Sequence, residues 1–320
     1  MQRNAPLPPR PAALRHLTAT NVAGALFIGA TAGITGVGVW LSLAGPLLWW
    51  LTGQLLIGLA MVEWFVLLHE CGHRTLFRHR AWNTAAGHVA GVFALIPFTL
   101  WVHVHRLHHK WTGWQDLDPT TATLVPRERG RFERRMVRFC WKYWIPLFAT
   151  VYRVETFWNP SRIARYARES RHGRDVIGSV LSVVATYSAA ILWLGPATFV
   201  RCLAVATVVA FILEDLLILS QHSHVPMDIS DGAHVTPHTA LDQERFTRSL
   251  RLPGAISRAV LHFDAHELHH MYPFVPGYHL RRIGYEPRNE IGWRQWVTSA
   301  RRIPGDILLF QNRRDTGLTL

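Results

Sequence analysis

Ten of the nineteen histidines of this 320-residue chain fall in clusters, and their spacing is that of metal ligands. Four clusters recur along the sequence: HECGH at 69–73, HRLHH at 105–109, QHSH at 221–224 and HELHH at 266–270. Residues three or four positions apart in a helix share one face and lie about 5–6 Å apart. HxxxH and HxxHH therefore direct two or three imidazoles at one point, and neutral imidazole binds iron, zinc, copper and nickel.

Nine histidines, counting one from QHSH, are more than the four ligands of a tetrahedral zinc ion. The set therefore indicates two metal ions. A site built almost entirely of neutral imidazoles would be electron-poor and would suit oxidation of C–H bonds, whereas soluble di-iron bundles rely on glutamates. His224 competes with His222 as the ligand from its cluster. The nine candidate ligands are His69, His73, His105, His108, His109, His222, His266, His269 and His270.

The first cluster also matches H-E-x-x-H, in which a zinc protease uses the glutamate as general base. Gly72 would weaken the helix where a protease site needs rigidity, and this interpretation leaves both HxxHH elements without a role. An intramembrane metalloprotease is therefore the less favoured alternative. A metal transporter is disfavoured too, because its ligands would lie near the bilayer midplane.

The elements that must position these clusters are predicted to be membrane helices. Residues 21–68 contain one charged residue, Glu63, and residues 176–213 contain one, Arg201. Each stretch can supply two spans of about 20 apolar residues, with turns near Gly45 and Gly195. We predict an all-α integral membrane protein with four transmembrane helices in two hairpins. The predicted spans are 22–43, 48–69, 176–194 and 199–221.

Residues 82–104 form a further apolar stretch that is long enough to span. A single crossing there would place the Arg-rich segment 105–175 on the opposite side from the first cluster. The clusters could then not meet, and the charge distribution argues against it as well. We therefore expect a re-entrant or interfacial segment, broken near Pro97.

The formal net charge of +13 is concentrated outside the predicted spans. By the positive-inside rule, the histidine clusters face the cytosol, at the inner membrane if the source is bacterial. We expect residues 1–20 to form a flexible cytosolic tail and 21–320 a single domain with a cytosolic helical cap at 70–175 and 222–320. Three widely spaced cysteines exclude a disulfide scaffold.

Basic and aromatic residues alternate through residues 131–172. This pattern occurs in nucleic-acid-binding proteins. Beside four membrane spans it instead favours helices that lie in the membrane interface. We therefore expect interfacial helices here and no nucleic-acid partner.

With HECGH, HRLHHKWTGWQDLDP (105–119), QHSH and HELHHMYPFVPGYHL (266–280), the chain resembles the membrane fatty acid desaturase/hydroxylase superfamily. The resemblance covers roughly residues 66–280. It implies a helical membrane fold whose cytosolic cap holds two non-haem iron ions, and O2-dependent attack on a C–H bond with electrons from an external donor. The nine histidines match the first, second and third boxes of the family, with His222 as the additional histidine.

The chain departs from the family pattern at two points. Some relatives have an asparagine where this chain has Ile218, and no HPGG motif of a fused cytochrome b5 module occurs. We therefore expect a separate ferredoxin- or cytochrome b5-like donor at the basic cytosolic face. The expected substrate is a membrane lipid or acyl chain that is desaturated; the alternative is a hydroxylase or ketolase of a carotenoid, sterol or alkane.

Ligating imidazoles usually donate their second ring N–H to a carboxylate or carbonyl oxygen. Several acidic residues near the clusters are candidates for this outer role. No catalytic residue beyond the metal centre and no organic cofactor is expected. The candidates are Glu70, Asp116, Asp118, Asp215, Asp264 and Glu267.

Overall fold

The computed structural model describes residues 7–170, 172–311 and 320, and it is almost entirely helical. A two-residue parallel pair, β1 (Leu250–Arg251) with β2 (Ile291–Gly292), is the one sheet in these ranges. The α-helices are α1 (Asn21–Leu43), α2 (Leu47–His73), α3 (Arg80–Phe93), α4 (Phe98–Trp111), α5 (Arg131–Lys142), α6 (Leu147–Arg153), α7 (Pro160–Glu169), α8 (Gly173–Leu194), α9 (Pro196–His222), α10 (Gly254–Ala259), α11 (His266–Met271), α12 (Trp293–Ala300) and α13 (Gly305–Phe310).

Four helices in the described ranges, α1, α2, α8 and α9, are long and apolar enough to cross a membrane. Their bounds lie within a few residues of the predicted spans. This confirms the prediction of an all-α integral membrane protein with four spanning helices. Sequence identified them because an apolar run of this length is what a bilayer requires.

The turns of the two hairpins fall at the predicted Gly-Pro pairs. Gly45 and Gly195 have φ angles of +105° and +78°, which side chains rarely tolerate. Pro46 caps the N-terminus of α2 and Pro196 is the first residue of α9, where the missing N–H of proline is not needed. The α1–α2 hairpin packs closely: a Cβ on Gly53 would lie 2.6 Å from the carbonyl oxygen of Gly38.

Helices α3 and α4 are together apolar enough to span, but they meet at an angle of 98°. The predicted break near Pro97 is confirmed. Carbonyls at a break in an apolar segment need partners, and three of them here accept hydrogen bonds from side chains. Tyr187 Oη donates to Val92 O at 3.0 Å, Arg153 Nε to Ala94 O at 3.3 Å, and Trp158 Nε1 to Leu95 O at 3.0 Å.

Arg153 is a buried residue, and its guanidinium forms an ion pair with buried Glu214. The guanidinium also lies 4.3 Å from the ring centre of Phe211. A buried ion pair is tolerated when additional hydrogen bonds satisfy its members. The ion pair with Glu214 therefore also holds the Arg153 guanidinium in place to donate its hydrogen bond to Ala94 O.

The chain divides into two compact units, each built from separated segments. The box unit contains residues 106–143 and 217–320, with residues 1–19, as far as these are described. The span unit contains residues 20–105 and 144–216. Two of its boundaries fall inside helices, between residues 105 and 106 of α4 and between residues 216 and 217 of α9.

The predicted flexible tail is packed where it is described. Residues 1–6 lie outside the described residues, but Pro11–Leu14 forms a 3₁₀ helix. Leu14 is buried in an apolar cluster with Leu268, Met271 and Tyr272. Tyr272 Oη also donates a 2.7 Å hydrogen bond to the carbonyl of Pro9. Prolines, which fix an extended backbone, let this segment lie along the box unit.

The segment predicted to form interfacial helices contains α5, α6 and α7. On α5, Val137 and Cys140 are buried, while Phe132, Phe139 and Tyr143 are exposed. Arginines occupy another side of the same helix. This amphipathic pattern agrees with the predicted character, and the membrane-interface location stays a prediction.

Candidate metal centre

Four histidines of the box unit direct ring nitrogens at one point. His108 comes from α4, His222 from the end of α9, and His266 and His270 from α11; their nearest nitrogens all lie within 4.8 Å of one another. The Nε2–Nε2 distances are 2.7 Å for His222–His266, 3.0 Å for His266–His270 and 3.3 Å for His108–His270. His108, His266 and His270 are buried.

The outer nitrogens of two of these rings bond oxygen acceptors. His108 Nδ1 lies 2.7 Å from a carboxylate oxygen of Asp118, and His270 Nδ1 lies 2.9 Å from Oε1 of Gln243. An acceptor oxygen at Nδ1 requires the proton there, so Nε2 of each ring carries a lone pair. These lone pairs face each other across 3.3 Å. A cation between them would turn that repulsion into ligation, so the residues fit a metal ion.

Local structure after α4 explains how Asp118 reaches His108. Gly113 takes a φ of +101°, and a Cβ there would lie 2.7 Å from the ring of Phe246. The chain therefore turns back sharply after the helix. Asp118 is fully buried and is held by a 2.8 Å hydrogen bond from the backbone N–H of Thr120.

Helix α11 places the third box. His266 and His270 share one face as an i, i+4 pair, while His269 Nε2 lies 3.0 Å from His109 Nε2. Glu267 anchors the helix, because its carboxylate accepts hydrogen bonds from the backbone N–H groups of Ser249 and Asn289 at 3.0 and 2.7 Å. Burial raises the pKa of Glu267 to about 7.

The imidazole of His270 is held in its neutral form. Its burial, together with the neighbouring rings of His109, His266 and His108, lowers the pKa of His270 well below its ordinary value. Metal binding needs a neutral imidazole. The site therefore presents this ligand without first removing a proton.

The span unit brings together three further candidates. His69 and His73 on α2 and His105 on α4 offer nitrogens within 4.8 Å of one another. Nε2 of His73 lies 2.8 Å from Nε2 of His105. Nδ1 of His69 lies 3.4 Å from buried Glu70, whose other oxygen accepts a 2.7 Å hydrogen bond from Thr75.

A close helix contact orients His105. Its ring stacks on Trp101, with ring centres 4.3 Å apart and planes inclined by 16°. Trp101 in turn packs against α2 at Gly72, where a Cβ would lie 2.3 Å from the indole ring. Gly72 is thus explained by close packing beside the histidines.

Two of the six acidic candidates, Glu70 and Asp118, lie beside histidine rings. The others have different partners in this structure. Asp116 accepts from Ser230, Asp215 from the N–H of Ala149, Asp264 from Ser257 and Arg281, and Glu267 from Ser249 and Asn289. These four residues were candidates because they lie near a histidine cluster in the sequence. In the structure each carboxylate instead accepts hydrogen bonds from backbone N–H groups or from side chains of other segments.

Of the two competing histidines, His222 lies in the four-histidine group, and Nδ1 of His224 lies 3.2 Å from the carbonyl of Gln311. His224 has a φ of +55°, because the helix has already ended. Sequence analysis missed Gln243, which also donates a 2.7 Å hydrogen bond to His109 O. It stands in no motif, so no sequence signal marked it.

Comparisons with known proteins agree with this architecture. The fatty acid desaturase family model matches residues 44–300. An sn-1 oleoyl-lipid 12-desaturase of Picosynechococcus is 37% identical over 78 residues, covering 24% of this chain and 21% of that protein. A Delta(12) fatty acid dehydrogenase of Crepis alpina is 23% identical over 269 residues, covering 75% of this chain and 66% of that protein.

An endoplasmic reticulum omega-3 fatty acid desaturase of Vigna radiata is 25% identical over 269 residues, covering 77% of this chain and 65% of that protein. The chain thus spans from 21% to 66% of the length of these three relatives. The family match, however, extends over most of this chain. The chain belongs to the fatty acid desaturase family.

Proposed function

We propose that this protein is an O2-dependent, iron-containing desaturase that introduces a double bond into a fatty acyl chain. One observation carries the proposal. In a chain of the fatty acid desaturase family, the Nε2 lone pairs of His108 and His270 face each other while Asp118 and Gln243 hold the opposite ring nitrogens. That arrangement is what imidazole ligands and their outer partners require.

The proposed ligands form two sets. His108, His222, His266 and His270 of the box unit would hold one iron ion, and His69, His73 and His105 of the span unit would contribute to holding the second. His109 and His269, paired within the box unit, complete the nine. When bound, iron supplies the redox chemistry with O2 that no protein side chain provides.

The side chains of the chain have distinct tasks in this proposal. Asp118 and Gln243 keep the Nδ1 protons in place and so fix the ring planes of His108 and His270. Burial of both rings excludes water, and burial together with the neighbouring imidazoles keeps the ring of His270 neutral by lowering its pKa. Glu267 fixes α11, so that both of its inward-facing histidines keep their direction.

The balance of the reaction defines what else must reach the site. Two hydrogen atoms leave neighbouring carbons of the acyl chain, and O2 is reduced to two waters with two electrons from a donor and two protons. A ferredoxin- or cytochrome b5-like protein at the basic surface is the proposed donor. The charge of +13, concentrated outside the spans, supports both this partner and a cytosolic location of the boxes.

The same set of ligands would serve a hydroxylase or ketolase, because the outcomes differ in substrate placement. The printed names of the relatives, which are acyl desaturases and a dehydrogenase, favour desaturation. The HExxH protease interpretation has no support from the family match.

The proposal is tested by metal analysis and lipid profiling together. Purified protein should contain about two iron ions and no stoichiometric zinc per chain, as for other di-iron proteins. Cells that express it should accumulate an unsaturated acyl product, and His269→Ala should abolish that product. Stoichiometric zinc, an alcohol or ketone product, or full activity of His269→Ala would each refute the proposal.

A further inference from the structure

An apolar cavity of about 510 Å³ lies within the span unit. It is lined by residues of α1, α2, α8 and α9, and Phe93 and Leu95 at the α3–α4 break also contribute to its wall. Apolar side chains such as Val39, Ile57 and Leu203 make up most of the lining. Its volume is in the range of small-molecule binding pockets.

The hydrogen-bonding side chains in this wall are directed to partners in the protein. Thr35 Oγ1 donates to Thr31 O at 2.8 Å and accepts from Trp64 Nε1 at 3.0 Å. Tyr187 Oη donates to Val92 O at 3.0 Å. Thr207 Oγ1 lies 4.0 Å from the sulfur of Met61. The cavity therefore presents carbon to whatever occupies it.

Three fillings can be compared: nothing, water or hydrocarbon. An empty space of this size forfeits the dispersion contacts of its whole lining. Water needs two to four polar partners, and apolar cavities stay dry and take up hydrocarbon instead. Ile191 on α8 and Val200 on α9 line the cavity and are 36% and 57% exposed. Both helices are long and apolar enough to cross a membrane, so bilayer hydrocarbon can reach the cavity.

We infer that this cavity binds an acyl chain of a membrane lipid, entering between α8 and α9 from the bilayer. The occupant contributes only hydrocarbon contacts, so its headgroup does not determine binding. It would pack against the α3–α4 break and connect the two spanning hairpins of the span unit.

This site differs from the proposed metal ligands of the same helix. Ile57, Met61 and Trp64 line the cavity and recur at i, i+4 and i+7, so they share one face of α2. At 100° per residue, His69 is rotated by roughly 110° from that face and His73 by roughly 150°. The bound chain therefore contacts a side of α2 that does not carry the histidines, and the inference does not depend on desaturase activity.

The test is photo-crosslinking of the full chain in bilayers of phosphatidylcholine that carries a diazirine on one acyl chain. Mass spectrometry then locates the labelled residues. Labelling should concentrate on cavity-lining residues such as Met61 and Leu203. Ala204→Trp, which fills the cavity, should lower it about tenfold, equivalent to about 1.4 kcal/mol. Ala204→Leu should lower it less.

The matched control is Leu181→Trp, on a part of α8 that is 60% exposed and does not line the cavity. It should leave labelling of Met61 and Leu203 unchanged. Size-exclusion elution checks that each variant is folded, and Ala204→Leu carries the test if Ala204→Trp is not. Equal labelling of the exposed face around Leu181 and of the cavity, or labelling unaffected by both Ala204 variants, would overturn the inference.

Discussion

The histidines of the box unit and those of the span unit are oriented by different means. In the box unit, hydrogen bonds of 2.7 and 2.9 Å to Asp118 and Gln243 fix the rings of His108 and His270. In the span unit, Nδ1 of His69 lies 3.4 Å from a carboxylate oxygen of Glu70, and the ring of His105 stacks on Trp101. His73 and His105 are also only half-buried, unlike His270. Hydrogen bonds thus orient His108 and His270 in one set, and ring stacking contributes to the orientation of His105 in the other.

This difference matters because the two means respond differently to mutation. A hydrogen bond to Nδ1 sets both the tautomer and the ring plane, so its loss changes which nitrogen has the lone pair. Packing sets the ring plane alone. Four substitutions separate the two contributions.

The largest effect is expected for His270→Ala. Its loss removes a buried ligand that approaches both His108 and His266, so we expect loss of about one of two iron ions and of all desaturation. Metal analysis and lipid profiling measure both. His224→Ala is the control, since His224 lies outside the four-histidine group; an equal loss in that variant would contradict the assignment.

Asp118→Ala should come next. Without the carboxylate, His108 loses the partner that fixes its proton on Nδ1, and iron affinity should fall by about 10–100-fold. Iron titration of the purified apoprotein measures this. Asp116→Ala, which removes a carboxylate bound to Ser230 instead, should leave the iron affinity nearly unchanged. A similar loss of iron affinity in both variants would show that the hydrogen bond between His108 and Asp118 has no special role in iron binding.

Gly72→Ala tests the packing contribution in the span unit. The added Cβ would meet Trp101 at 2.3 Å, so overpacking should lower the free energy of unfolding by about 1–3 kcal/mol and shift the ring of His105. Thermal denaturation measures the first effect, and the visible absorption of the cobalt-substituted protein the second. Gly36→Ala, whose Cβ would meet no neighbouring element within 4 Å, should leave the spectrum unchanged and should not lower the free energy of unfolding, because alanine favours helix over glycine. An unchanged spectrum in Gly72→Ala would show that packing of Trp101 against α2 does not orient the ring of His105.

Glu70→Gln should have the smallest effect of the four. Its contact to His69 is long, and the amide can still accept from Thr75. We expect iron affinity to fall by less than about 10-fold. The same titration measures it, with Thr75→Val as the companion variant. A loss equal to that of Asp118→Ala would mean that both sets depend on carboxylates alike.

Much of this arrangement could be predicted from the sequence, because it rests on local patterns. Apolar runs placed the four spans, Gly-Pro pairs placed their turns, and Pro97 marked the break. The histidine spacing likewise placed His266 and His270 on one helical face. Asp118 could be nominated because it follows His108 within the same short segment.

The remaining features depend on tertiary contacts that carry no local signature. Gln243 reaches His270 from a 3₁₀ helix that no motif marks. Asp215 was nominated for lying two helical turns before His222, yet its carboxylate accepts from the N–H of Ala149, 66 residues earlier. The proline-rich N-terminal segment resembled a tail, because the burial of Leu14 depends on residues beyond 264.

The capped break between α3 and α4 has a consequence for how the chain is made. Val92, Ala94 and Leu95 emerge from the ribosome well before their partners: Arg153 follows Ala94 by 59 residues, Trp158 follows Leu95 by 63, and Tyr187 follows Val92 by 95. Val92 O also accepts from the nearby N–H of Leu95, but until Trp158 has been synthesised the carbonyls of Ala94 and Leu95 must be satisfied by water or by the translocation machinery. The break between α3 and α4 therefore acquires its side-chain partners only after later segments of the chain have been made.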